Sequence, residues 1–191
     1  MIRITDPGPK LTQSQLDAVE KILGVVFPPQ YRTFMLETNG GFPEPNSFDL
    51  KDGGDGSCLS YFYSIGLAGE QREQLTSRQE FRAGRLPAKF IAIGPDPGGN
   101  EICLNCSIGA DYGKIYFWDH DFECDAVSYP DMTPETAGNY HLVANSFTEF
   151  LGCLNEDETF EDTRTAVKNT TPEAKARFEA VMKRMGPPKN D

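Results

Sequence analysis

Histidine is almost missing from this chain: His120 and His141 are its only two. That scarcity removes most zinc sites and most histidine-based proton relays at the outset. No apolar run approaches the ~20 residues a membrane-spanning helix requires, so a membrane partner is not expected. The opening residues, Met1-Ile-Arg-Ile-Thr-Asp-Pro, lack the unbroken apolar stretch of a secretory signal, and the expectation is a cytoplasmic protein. Basic side chains are also in deficit, 18 against 29 acidic ones, for a net charge of −11. No internal repeat is visible.

The deficit of positive charge is local. Residues 1–37 balance, with four charges of each sign. Residues 38–162 hold 22 acidic and 7 basic side chains, whereas residues 163–191 hold 3 acidic and 7 basic. An acidic body repels phosphate backbones, which argues against direct nucleic-acid binding. It would draw in a basic protein surface and speed the encounter. On charge alone, the simpler explanation is solubility.

What is present is aromatic and apolar enough to build a core: 13 Phe, 7 Tyr and 38% hydrophobic residues in a chain of 191. The first helix is marked by Thr12 and Gln15 in capping-box spacing, by Leu11 and Leu16 placed as a hydrophobic staple, and by Leu16, Val19, Ile22 and Leu23 at helical spacing up to Gly24. After a short apolar link, Val25-Val-Phe27, the pair Pro28-Pro29 opens a second helix. Tyr31, Phe34, Met35 and Thr38 share one of its faces, and Asn39-Gly40-Gly41 ends it. Residues 43–58 are loop-like, and the aromatic run 59–65 predicts a strand. A polar helix over 70–83, with Leu75 and Phe81 as sparse anchors, is expected to be exposed. Strands follow at 90–94, 101–105 and 114–118, where Lys114, Tyr116 and Trp118 alternate with Ile115 and Phe117. Residues 119–135, with six acidic and no basic side chains, predict loop. Ser146-Phe-Thr-Glu149 is a second capping box, opening a helix that carries Phe147, Phe150, Leu151 and Leu154. An acidic run follows at 155–163. A last helix starts at Thr171-Pro172-Glu173, with Ala174, Phe178, Val181 and Met185 on one stripe. Consecutive strands joined by turns too short for crossover helices predict an α+β fold: a single domain with a central, mostly antiparallel sheet packed against helices near both ends.

Several fragments in this order look like chemistry. Cys103-Leu-Asn-Cys106 is half a zinc site at most, and a redox pair would need to open a helix rather than follow a strand. Five cysteines (58, 103, 106, 124 and 153) with no even spacing predict reduced, mostly buried thiols. Gly98-Gly99 precedes a strand, Glu101-Ile-Cys-Leu, not the helix N-terminus that a phosphate cradle needs, so it is read as a turn. Asp119-His120-Asp121 leaves a strand, where neighbouring side chains diverge, and is read as a turn rather than a proton shuttle. No catalytic residue, cofactor or metal is expected.

Two blocks taken together resemble a known family. One runs Leu16…Glu20…Leu23-Gly24-Val-Val-Phe27-Pro28…Tyr31…Phe34…Asn39-Gly-Gly41. The other runs Leu86-Pro87…Phe90-Ile-Ala-Ile-Gly94…Gly98-Gly99-Asn100…Cys103-Leu104…Gly113-Lys-Ile-Tyr-Phe117-Trp118-Asp119-His120. In this order and spacing they look like the SUKH superfamily, whose domain is named after yeast cell-wall regulators of the Smi/Knr type. The resemblance covers roughly residues 12–154, which divides the chain into a SUKH-like domain at 1–155 and an acidic linker with a C-terminal helix at 156–191. It implies an α+β domain without catalytic residues. Bacterial members are commonly immunity proteins that bind and neutralise a cognate toxin, often a nuclease; others act as regulators or scaffolds that bind another cellular protein. The shared residues are largely structural, so the resemblance transfers no contact residues. Loop position and charge nominate Asp52, Asp55, Asp119, Asp121, Glu123 and Asp125 as contacts to a basic partner, with Tyr112 or Phe122 as an aromatic anchor. Nothing in the sequence sets the oligomeric state.

Overall fold

The computed structural model describes residues 2–51, 53–54, 56–66, 74–122 and 138–156. All of them fall within the compact unit Met1–Glu156. The architecture is α+β. Strand β1 (Arg3–Thr5) precedes helices α1 (Gln13–Leu23) and α2 (Pro29–Thr38); short strands β2 (Phe42–Glu44), β3 (Ser47–Phe48) and β4 (Ser57–Cys58) follow; then come α3 (Leu75–Phe81), strands β5 (Phe90–Pro95), β6 (Glu101–Asn105), β7 (Ile115–Trp118) and β8 (Tyr140–Ala144), and α4 (Phe147–Cys153). β5 to β8 form one antiparallel sheet in sequence order, while β1–β2 and β3–β4 are separate antiparallel pairs.

Local sequence explains the helix ends. Thr12 accepts from the Gln15 amide while the Gln15 side chain returns to Thr12, so the capping box closes as expected. Gly24 stops α1 in the left-handed conformation, at φ 66°. Asn39 stops α2 at φ 48° and does more: fully buried, it donates to the Pro9 and Ile65 carbonyls and accepts from the Ile65 amide. One side chain thereby ties three segments together. The second capping box forms only by half. Ser146 accepts from the Glu149 amide at 3.1 Å, but Glu149 reaches the Asn145 amide and Lys51 instead of returning to Ser146. The nearby Lys51 ammonium holds its carboxyl below the usual range.

The core occupies both faces of the sheet, because neighbouring residues in a strand point to opposite sides. On one side Phe117 meets Phe48, and Phe48 and Phe62 meet Phe150. Tyr31 and Phe34 from α2 pack edge-on or tilted against Phe147 of α4, with ring centroids 5.0 Å apart in each case. Such pairs add about 0.5–1.5 kcal/mol each beyond simple burial. On the other side Phe90 packs against Tyr116 and Tyr140.

Three expectations need correction. Residues 59–65 do not form a strand. Their amides divide between partners, Ser60 and Tyr63 bonding to Pro95 and Ile93 of β5 while Phe62 bonds to Gly41, so no single ladder forms. This segment passes so close to β5 that a Cβ on Gly94 would overlap the Tyr61 carbonyl. Phe81 does not anchor α3: it is exposed, with Arg78 and Arg82 lying over its ring, and Leu75 is the buried residue. Ile22 is exposed too, because its place in α1 lies about 120° from Leu16 at 100° per residue, and Glu20 takes the buried face instead. The start of the helix expected at 70–83, most of the acidic run 155–163 and the final helix from Thr171 lie outside the described residues.

Candidate functional site

Two surfaces are built at opposite ends of the β6–β7 hairpin. At the end where β6 begins and β7 leaves, Glu101 opposes Trp118 across the ladder. Glu101 is fully buried, and its carboxylate accepts from the Tyr63 hydroxyl at 2.8 Å, from Arg78 at 2.6 Å and from Arg82 at 2.9 Å. Arg82 also donates to the Gly99 carbonyl, and both Arg82 and Arg85 lie over the Trp118 ring. Burial pushes the Glu101 carboxyl up, while the Tyr63 hydroxyl and the two guanidinium groups pull it back. α3 is pinned to the sheet by this cluster. It is pinned again by Gln79, whose amide donates to the Phe90 carbonyl and accepts from the Ala92 amide, closing part of the β5 edge.

Above this cluster sits the Asp96–Asn100 turn. Asp96 accepts from Ser57 and from both amides of Asn100, main chain and side chain. The Asn100 side-chain oxygen, Oδ1, then accepts from the His120 main-chain amide at 3.0 Å and lies 2.7 Å from His120 Nδ1. Since that oxygen can only accept, Nδ1 carries the proton. Nε2 lies 3.3 Å from the Asp121 carboxylate.

The sequence candidates fall unevenly on this frame. Asp119 and Asp121 come together at the exit of β7. The Asp119 backbone is tied to Asn139 in both directions, and its carboxylate accepts from the Asp121 amide. The Asp121 side chain is 77% exposed. Phe122 closes the single 3₁₀ turn His120–Phe122; its side chain, like Asp52, Asp55, Glu123 and Asp125, lies outside what is described. Tyr112 is not part of this cluster. It sits in the turn at the other end of the hairpin, where its hydroxyl donates to the Val26 carbonyl.

That other end is a groove of about 750 Å³ between the α1–α2 link and the β6–β7 turn, lined by Val25, Val26, Cys106, Ile108 and Tyr112, with Lys21 and Lys89 among its charged residues. Val26 is 66% and Ile108 99% exposed. In the sequence Val26 reads as one of three apolar link residues, but alternation buries Val25 and Phe27 and turns Val26 outward, a signal that period-two inspection could have found. The Glu101–Arg78–Arg82 cluster left no such signal, since its members are 19 and 23 residues apart.

Cys103 and Cys106 do not build a reactive pair. Both are buried, and burial pushes the Cys106 thiol up to about 12 and the Cys103 thiol well above its ordinary value. Among the described residues no group of three or more His, Cys, Asp and Glu could hold a metal ion, and no helix is long and apolar enough to cross a membrane.

Comparison with known proteins agrees with the elements that carry this frame. The SPbeta prophage-derived uncharacterized protein YokK of Bacillus subtilis (strain 168) is 31% identical over 163 residues, covering 76% of this chain and 76% of the relative. The model of the SMI1 / KNR4 family (SUKH-1) matches residues 10–153, from just before the first capping box to the end of α4. With three quarters of its length inside that match, the chain belongs to the SMI1 / KNR4 family (SUKH-1).

Proposed function

We propose that this protein is a non-catalytic binding module that acts in the cytoplasm as an immunity protein, neutralising a cognate toxin domain by direct contact. The observation that carries the proposal is the pair Asp119 and Asp121, held at the exit of β7 within a stretch of the chain that has 22 acidic and 7 basic side chains. Nuclease active sites are commonly basic because they bind phosphates, and two presented carboxylates supply the same charge. Membership of the SUKH-1 family supports the same reading, as does the prophage origin printed in the relative's name.

The local structure suits the task. Main-chain bonds to Asn139 and the bond from the Asp121 amide order the turn before any partner arrives, which lowers the entropy lost on binding. Long-range attraction then speeds encounter and makes it depend on salt. The thiols of Cys103 and Cys106 stay protonated at neutral pH, so neither offers a thiolate nucleophile. Asp52, Asp55, Phe122, Glu123 and Asp125 are nominated as further contacts on sequence position and charge alone.

The test starts from the neighbouring reading frame: a toxin gene immediately upstream supports this reading, a solitary gene the regulatory or scaffold one, and that toxin is then co-expressed with this protein. The wild-type protein should restore growth and co-purify with the toxin. The double substitution Asp119→Lys, Asp121→Lys should lower affinity by at least about tenfold, mainly through slower association. Unchanged affinity would remove these residues from the contact. Failure of the wild type to bind or rescue would leave the regulatory or scaffold role known elsewhere in the superfamily.

A further inference from the structure

We infer that the groove between the α1–α2 link and the β6–β7 turn is a second docking surface, one that takes an apolar segment carrying carboxylates from a partner protein. This goes beyond the toxin contact and uses none of its residues. Two of the four large hydrophobic side chains that are exposed among the described residues line it: Val26 in the link and Ile108 at the tip of the hairpin turn. The groove floor is Val25, the buried Cys106 and the flank of Tyr112. Ile108 projects almost fully into solvent instead of closing a cavity, so the shape suits a partner's side chains better than an enclosed small molecule.

Charge decides the occupant. Glu20 lines the groove, but its carboxylate is already used by the Phe27 amide and by Arg32. Asp111, beside Tyr112 in the turn, pairs with Lys114. Among the described residues no carboxylate pairs with Lys21 or Lys89, and Lys89 spends one proton on the Gly24 carbonyl at the end of α1. Two full positive charges outweigh the roughly half negative charge of a helix C-terminus. The groove is thus apolar with a positive edge on a protein whose net charge is −11. A segment with Leu, Ile or Phe on one side and Asp or Glu beside them matches both properties.

Tyr112 gains a place in this arrangement. Its hydroxyl holds the hairpin turn against Val26, which keeps the two walls at a fixed separation.

The test uses the full chain and fluorescein-labelled amphipathic peptides of equal apolar content, one with glutamate and one with lysine on its polar flank. Fluorescence anisotropy should show saturable binding of the glutamate peptide and not of the lysine peptide. Ile108→Ser and Val26→Ser, both at exposed positions, should each weaken it about tenfold. Lys21→Glu with Lys89→Glu should reverse the preference toward the lysine peptide; Lys21→Glu alone, on an exposed helix position, should weaken glutamate-peptide binding and guards against a folding defect in the double variant. Asp119→Lys with Asp121→Lys should leave peptide binding unchanged, which separates this surface from the toxin contact. Absence of saturable binding, or binding indifferent to Ile108→Ser, overturns the inference. So does a shift from dimer to monomer on Ile108→Ser without peptide binding, which would give the groove to a second copy of the chain.

Discussion

The two ends of the β6–β7 hairpin are about 13 Å apart at 3.3 Å per residue, yet they solve opposite problems. At the Glu101–Trp118 end, charge is buried and every oxygen of Glu101 has a donor. At the Tyr112 end, apolar side chains are exposed and the charges that remain uncompensated are positive. The first arrangement is internally closed and fixes α3 on the sheet. The second leaves the apolar side chains of Val26 and Ile108 in water, an arrangement that contributes little to folding. A buried polar cluster on this chain is therefore a structural feature, and its neighbours Asp119 and Asp121 stand outside the closed network.

If that contrast holds, substitutions at the two ends should differ most in stability. Glu101→Ala takes the carboxylate away from the buried Arg82 guanidinium, and urea unfolding should show a loss of about 3–5 kcal/mol. A loss below ~1 kcal/mol would mean that water or another side chain replaces the carboxylate. Asn100→Ala removes the acceptor for the His120 amide and the donor to Asp96. The same measurement should give about 1–3 kcal/mol, the cost of polar groups left without partners. His120, the neighbour of the Asp121 carboxylate, would also lose its anchor, so if the proposed toxin contact at Asp121 holds, affinity there should fall alongside stability. Ile108→Ser lies at the other extreme. At 99% exposure it removes no packing, and the unfolding midpoint should move by no more than ~0.5 kcal/mol equivalent. A larger destabilisation there would show that Ile108 is covered in the free protein and would erase the contrast between the two ends.

Much of the frame is legible in the chain because it is written in short-range patterns. As caps and stops, Thr12 with Gln15, Gly24, Asn39 and Ser146 act on the helix end beside them, and each does what its spacing predicts except for the return bond of Glu149. Strands β6 and β7 follow from alternation. The errors come where a neighbour from elsewhere outbids local preference. The run 59–65 has the aromatic content of a strand, but its amides are claimed by both β5 and Gly41. Phe81 has the character of an anchor, but α3 is held by Leu75, Gln79 and two arginines, which turns Phe81 outward. Tyr112 and the aspartates at the β7 exit look like neighbours in sequence, and the strand between them carries them to opposite ends of the hairpin.

By itself, then, the amino-acid sequence determined the α+β class, the helix termini, the antiparallel order of β6 and β7 and the acidic character of the body, because these depend on backbone preference, side-chain periodicity and charge count. Tertiary structure alone decided that Glu101 is a buried hub and that Val26 and Ile108 line one positively edged groove, with Tyr112 fastened to Val26. Those properties rest on contacts between residues 19 to 86 positions apart, and no local pattern encodes which distant partner a side chain will meet.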